Sequence, residues 1–102
     1  ISPTILVSYD IENDRLRLKT ANKLLEYGFI RLQKSVFAGT VGSAKWQEML
    51  AWLKKEIVAN CGPNDQVLYL SLTKGQSDRF VFLPAPPPEW NDTLSPPNTL
   101  FM

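Results

Sequence analysis

Asp10 ends a short β-branched run, T-I-L-V-S-Y-D from Thr4, and a series of cations begins soon after it at Arg15. A carboxylate that holds Mg²⁺, beside cations that hold phosphate, is what a metal-dependent phosphodiesterase needs. A lone aspartate at a strand end also serves as a cap or turn residue, and one carboxylate is a poor magnesium site. A two-fold axis that brought two copies of Asp10 together would supply a pair of hard oxygen ligands. The chain has no histidine and a single cysteine, Cys61. A Ser–His–Asp triad, a Cys–His dyad, a Cys/His zinc site and a disulfide framework within one chain are therefore excluded. Without histidine, an attacking water has to be activated by metal or carboxylate. Cys61 reads as a structural thiol near a helix end.

The cations are concentrated. Arg15, Arg17, Lys19, Lys23, Arg31 and Lys34 fall within 20 residues that contain one acid, Glu26, whereas from Ala85 onward there is no Lys or Arg. Net charge is only +1, so the distribution rather than the total suggests a basic surface. Arg15, Arg17 and Lys19 either contact phosphates non-specifically, with affinity that falls steeply with salt, or merely solubilise a helix face. No aromatic stacking platform for single-stranded bases is evident, so duplex backbone binding is the better fit.

Thr4 to Asp10 reads as a strand. Asn13 and Asp14 offer a helix start, Leu16, Thr20, Ala21, Leu24 and Leu25 recur at helical spacing, and Gly28 stands where the helix should stop. Arg15, Lys19 and Lys23, four apart, form a stripe on another face. Phe29 to Thr40 reads as extended chain, one strand or a split pair, with Arg31, Gln33, Ser35 and Phe37 on one face. Ser43 is the expected N-cap of a second helix, whose apolar stripe is Trp46, Met49, Leu50, Leu53 and Ile57. Trp52 lies off that stripe, at a helix edge. Asp65 to Thr73 and Arg79 to Leu83 read as two further strands, joined by a turn-like K-G-Q-S-D.

The late strands carry large apolar residues on both faces, as in Leu68 and Leu70 against Val67 and Tyr69. An antiparallel sheet with one wet face should alternate, so something covers the second face, and a second copy of the chain is the simplest candidate. Six of the eight prolines lie from Pro84 onward, which marks residues 84–102 as an extended tail, without regular helix, on a single domain of residues 1–83. The tail's apolar end, Thr99 to Met102, is suited to adding a strand to a partner's sheet edge. No apolar run reaches the roughly 18 residues of a membrane span. The first ten residues lack the pattern of a signal peptide, and their start without Met reads as processed or trimmed. A reducing cytoplasm is expected.

The order strand, helix, split strand, helix, strand matches the βαββαβ pattern of α+β ferredoxin-like folds, here with an extra C-terminal strand. Three pieces then carry a family resemblance: Y-D at Tyr9-Asp10, D-R-x-R-x-K from Asp14 to Lys19, and R-x-Q-x-S-V-F-x-G from Arg31 to Gly39. The run from Val7 to Gly39 resembles the Cas-two family of small CRISPR-associated adaptation proteins. The resemblance implies a ferredoxin-like α/β fold and a homodimer with sheets packed face to face. It implies an Asp10 from each protomer near the dimer axis, holding a divalent metal such as Mg²⁺. Tyr9, Arg31, Ser35 and Phe37 carry over as the surroundings of that catalytic site, and Arg15 and Arg17 as phosphate contacts. Lys19 stands where Arg is often found and loses the bidentate fork. The resemblance further implies assembly with a CRISPR integrase subunit, where the protein bridges integrase dimers along duplex DNA during spacer acquisition. Members are regarded as metal-dependent ribonucleases or deoxyribonucleases, although bridging does not require cleavage. A toxin-like RNA interferase acting on single-stranded RNA is the alternative with the same topology. The proline-rich tail departs from the common pattern.

Overall fold

A computed structural model of the chain describes residues 3–90. Four strands form one antiparallel sheet in the order β2-β3-β1-β4: β1 Thr4–Asp10, β2 Ile30–Gln33, β3 Val36–Thr40 and β4 Gln66–Leu72. Helices α1 (Asp14–Glu26) and α2 (Ser43–Asn60) connect them, and a single turn, α3 (Lys74–Ser77), follows β4. This is the ferredoxin-like βαββαβ arrangement. The central strand β1 pairs Val7 with Phe37 on one side and with Tyr69 on the other.

The local chemistry explains the element ends. Asn13 caps α1, its side chain accepting from the Leu16 N–H at 2.8 Å. At the other end Gly28 has φ +88°. The Phe29 N–H donates to the Leu24 carbonyl and the Gly28 N–H to that of Leu25, both at 3.0 Å. That pair of bonds is a Schellman closure, and it needs a residue tolerant of positive φ. At the start of α2 the capping position is Gly42, and no side chain caps the helix. The expected N-cap, Ser43, is instead the first helical residue.

The core lies between the helices and one sheet face. Val7, Leu24, Phe37 and Met49 are fully buried there, with Ile5, Tyr9, Leu16, Phe29 and Leu53 around them. Leu25, expected on the same stripe, is exposed. Gly39 lies so close to Phe29 that a Cβ would come within 2.8 Å of its ring. Trp52 is half-buried at the helix edge, with the Lys23 Nζ 5.1 Å from its ring centroid.

The second sheet face differs from expectation. Arg79 to Leu83 forms no strand. The K-G-Q-S-D segment is the turn α3, closed by a capping box in which Thr73 and Gln76 bond each other's backbone N–H. It redirects the chain away from the sheet plane, and no ladder partner meets the next residues. Phe80 and Phe82 instead lie with Trp90 over Leu6, Ile30, Leu32 and Ala38. The Trp90 ring sits 4.9 Å from each phenylalanine ring, centroid to centroid. The chain thus covers part of its own second face, so a second copy is not needed there. The β4 side stays bare: Leu68 and Leu70 are 52% and 53% exposed. Residues 88–90 of the tail are helical. Proline is tolerated in the first turn, where its missing N–H has no helical partner in any case. The tail end proposed for strand addition, Thr99 to Met102, lies outside the described residues.

Candidate functional site

Strand alternation separates the two residues of the Tyr9-Asp10 pair. Tyr9 is buried on the helix side, whereas Asp10, exposed and opposite Gln66, belongs to the face that carries Leu68 and Leu70. Tyr9 stacks on Phe37 with centroids 5.9 Å apart, and the Arg31 guanidinium lies 4.9 Å from the Phe37 ring centroid. Arg31 and Phe37 are direct cross-strand partners. Ser35 is not on a strand. It occupies the hairpin turn with Lys34, and its carbonyl accepts from the Tyr9 N–H at 3.0 Å. Tyr9, Arg31, Ser35 and Phe37 therefore come together, but on the sheet face opposite Asp10.

The cations divide as well. Arg15 and Lys19 border a groove by Asn60 at the end of α2. Lys19 pairs with Glu56 at 2.7 Å and holds that carboxyl below the usual carboxylate range. Arg17 is turned toward the β2–β3 hairpin, where it borders a cleft with Tyr9 and Arg31. Its guanidinium also donates to the carbonyls of Ile11 (3.0 Å) and Glu12 (3.2 Å) and pairs with Asp14. Arg17 thus braces the loop that follows Asp10.

A second brace escaped the sequence reading. Asp65 accepts from the Glu12 N–H at 2.9 Å and from the Gly62 N–H at 2.8 Å. These bonds join the loop after Asp10 to the loop before β4. They hold the Asp65 carboxyl below its ordinary value, the Gly62 bond contributing most. Its signal in the sequence was only a turn-forming Asp at the end of C-G-P-N-D. A depressed folded-state pKa contributes stability above the ordinary carboxylate range, and that contribution is lost as pH falls through the lowered value. Asp65→Asn should therefore lower Tm at neutral pH and flatten its fall below about pH 4. Melting curves between neutral and acid pH check this. Parallel curves for the two proteins would show that the two bonds carry no linkage.

Among the described residues, no three acidic, histidine or cysteine side chains gather closely enough to hold a metal. One chain brings Asp10 alone, so a magnesium centre fits these residues only if a second carboxylate comes from outside the chain.

A model of the family described as CRISPR associated protein Cas2 matches residues 4–80. The chain belongs to the Cas2 family. It is similar to the CRISPR-associated endoribonuclease Cas2 of Korarchaeum cryptofilum, 41% identical over 63 residues. That match covers 62% of this chain and 64% of the relative, so the chain spans less than two thirds of that Cas2 protein. A CRISPR-associated endonuclease Cas1/endonuclease Cas2 fusion of Thermoproteus tenax is 29% identical over 84 residues, covering 82% of this chain and 31% of the fusion. Among solved structures, Streptococcus pyogenes Cas2 superposes with TM-score 0.64 at 24% identity, covering 78% of this chain and 96% of that one. This last likeness supports the Cas2 fold alone. No helix among the described residues is long and apolar enough to cross a membrane.

Proposed function

We propose that this Cas2-family chain works as a homodimer that binds duplex DNA and links copies of an integrase during spacer acquisition. The observation that carries the reading is the bare apolar surface of β4 on the same sheet face as Asp10. Exposed leucines side by side on a sheet mark an interaction surface. Two copies joined there through a two-fold axis would each bring an Asp10 to the shared interface. The integrase reading is supported by the fusion relative, in which a Cas2 region is joined to a Cas1 endonuclease. Arg15 and Lys19, exposed on α1, would take duplex phosphates. Lys19 first has to leave Glu56, and an exposed ion pair of this kind is weak.

A metal-dependent endonuclease activity is a second reading, favoured by the name of the Korarchaeum relative, an endoribonuclease. It extends to single-stranded RNA as substrate, the case in which a toxin-like interferase would also fall. The two Asp10 carboxylates would hold Mg²⁺, which when bound supplies water activation and neutralises charge on the phosphodiester. The chain's own part is to fix Asp10 in place, through the ladder to β4 and the loop braced by Arg17 and Asp65.

The test is cleavage of labelled duplex DNA and single-stranded RNA with and without Mg²⁺, wild type beside Asp10→Ala, with duplex binding recorded on the same samples at two salt concentrations. The nuclease reading expects metal-dependent cleavage that falls by about 100-fold or more in Asp10→Ala while binding persists. Cleavage unchanged in the variant would assign it to a contaminant. Salt-insensitive or absent duplex binding by the wild type would sink the bridging reading.

A further inference from the structure

The cleft beside the β2–β3 hairpin has an unusual member. The Tyr9 hydroxyl is buried without a hydrogen-bond partner, alone in this among side-chain polar atoms of the described residues. Tyr9 is 4% exposed and lines the cleft. Buried hydroxyls nearly always find a partner, and an orphan is costly. Its ring is held by the stack on Phe37, and packing of that kind leaves it little freedom to seek a partner elsewhere.

The rest of the cleft has one electrostatic character. Three cations line it, Arg17, Arg31 and Lys34, against one carboxylate, Asp14, which is already paired with Arg17. Neither Arg31 nor Lys34 makes an ion pair among the described residues. The cleft also has an apolar side chain, Leu18, 62% exposed, whereas Leu32, which borders the cleft, packs its side chain on the other sheet face with Phe80, Phe82 and Trp90. Its volume is about 890 Å³, which lies in the range of small-molecule sites. A concave space of that size admits one nucleotide at a free end.

We infer that this cleft binds a nucleoside phosphate monoester. The Tyr9 hydroxyl donates to a phosphate oxygen, Arg31 and Lys34 balance the charge, and the nucleoside rests on Leu18. A terminal monoester carries more charge than a backbone diester and offers one more terminal oxygen, which suits convergent donors. Arg31 and Lys34 are exposed, so their side chains can shift to admit the oxygen that reaches the hydroxyl. The site lies on the sheet face opposite Asp10 and uses residues of one protomer. It therefore does not depend on the dimer or on a metal.

The test compares a short single-stranded oligonucleotide carrying a 5′-phosphate with the same oligonucleotide carrying a 5′-hydroxyl. Each has a 3′ dye, and anisotropy is read at fixed ionic strength. The wild type should bind the phosphorylated end about 10-fold or more tightly. Tyr9→Phe keeps the ring and its stack, and should bring that preference below about 3-fold, as should Arg31→Gln. Competition by AMP would assign free nucleotides as the source of the monoester, and an end preference that AMP does not reduce would assign chain ends. Equal affinity for both ends in the wild type, or the same preference in Tyr9→Phe, would overturn the inference. Binding of a blunt, unphosphorylated duplex, measured in parallel, reports on the bridging reading separately.

Discussion

Phe37→Ala should lower the free energy of unfolding by about 3–5 kcal/mol, the usual cost of removing a fully buried aromatic ring. No part of Phe37 is exposed. Its ring carries the Tyr9 stack on one contact and the Arg31 guanidinium on another, and its backbone is in register with both Val7 and Arg31. Truncation would leave a cavity under the cleft that the flanking strands cannot close without breaking that register. Denaturant unfolding at fixed protein concentration measures the effect, since any association would add to apparent stability. A loss below about 1 kcal/mol would mean that the ring is not packed as described. The role this assigns to Phe37 is positioning. It sets Tyr9 and Arg31 in place from beneath and does not itself reach the cleft.

The second large effect concerns association. Leu68→Asp combined with Leu70→Asp should weaken a β4-mediated dimer by roughly 100- to 1000-fold, because unpaired carboxylates in a dry interface cost several kcal/mol. Both leucines are about half exposed in the single chain, so the same changes should leave the monomer's own unfolding nearly untouched. Light scattering across a concentration series separates the two quantities. A wild type that stays monomeric at high micromolar concentration would remove the homodimer reading, and with it the paired Asp10 site. A dimer that survives both substitutions would place the interface elsewhere.

Much of the fold was legible in local pattern. The short β-branched apolar run of β1, the period of 3.6 in α1 and α2, the Asn13 cap and the Gly28 stop are short-range signals, and each corresponds to the element expected from it. They depend on hydrogen bonds and burial within a few residues, which the chain specifies for itself. The family motifs were equally local, since Y-D, D-R-x-R-x-K and R-x-Q-x-S-V-F-x-G lie within β1, α1 and the β2–β3 hairpin.

What the sequence could not settle was which residues share a surface. Arg79 to Leu83 has the apolar, β-prone composition of a strand, but a strand also needs a free edge in register, and this segment lies across the sheet face instead, beyond α3. Phe80 and Phe82, two apart, meet Trp90 from one side of the chain whether or not a ladder forms. The site shows the same division. Asp10 and Tyr9 are neighbours in sequence and opposed in space, whereas Tyr9 and Arg31 are distant in sequence and border one cleft. Asp65 secures the loop after Asp10 from 53 residues away. By itself the sequence determined the elements from β1 to β4, their order and the family. Only the tertiary structure decided the two faces of the site, because pairing register and chain direction are properties of the assembled sheet.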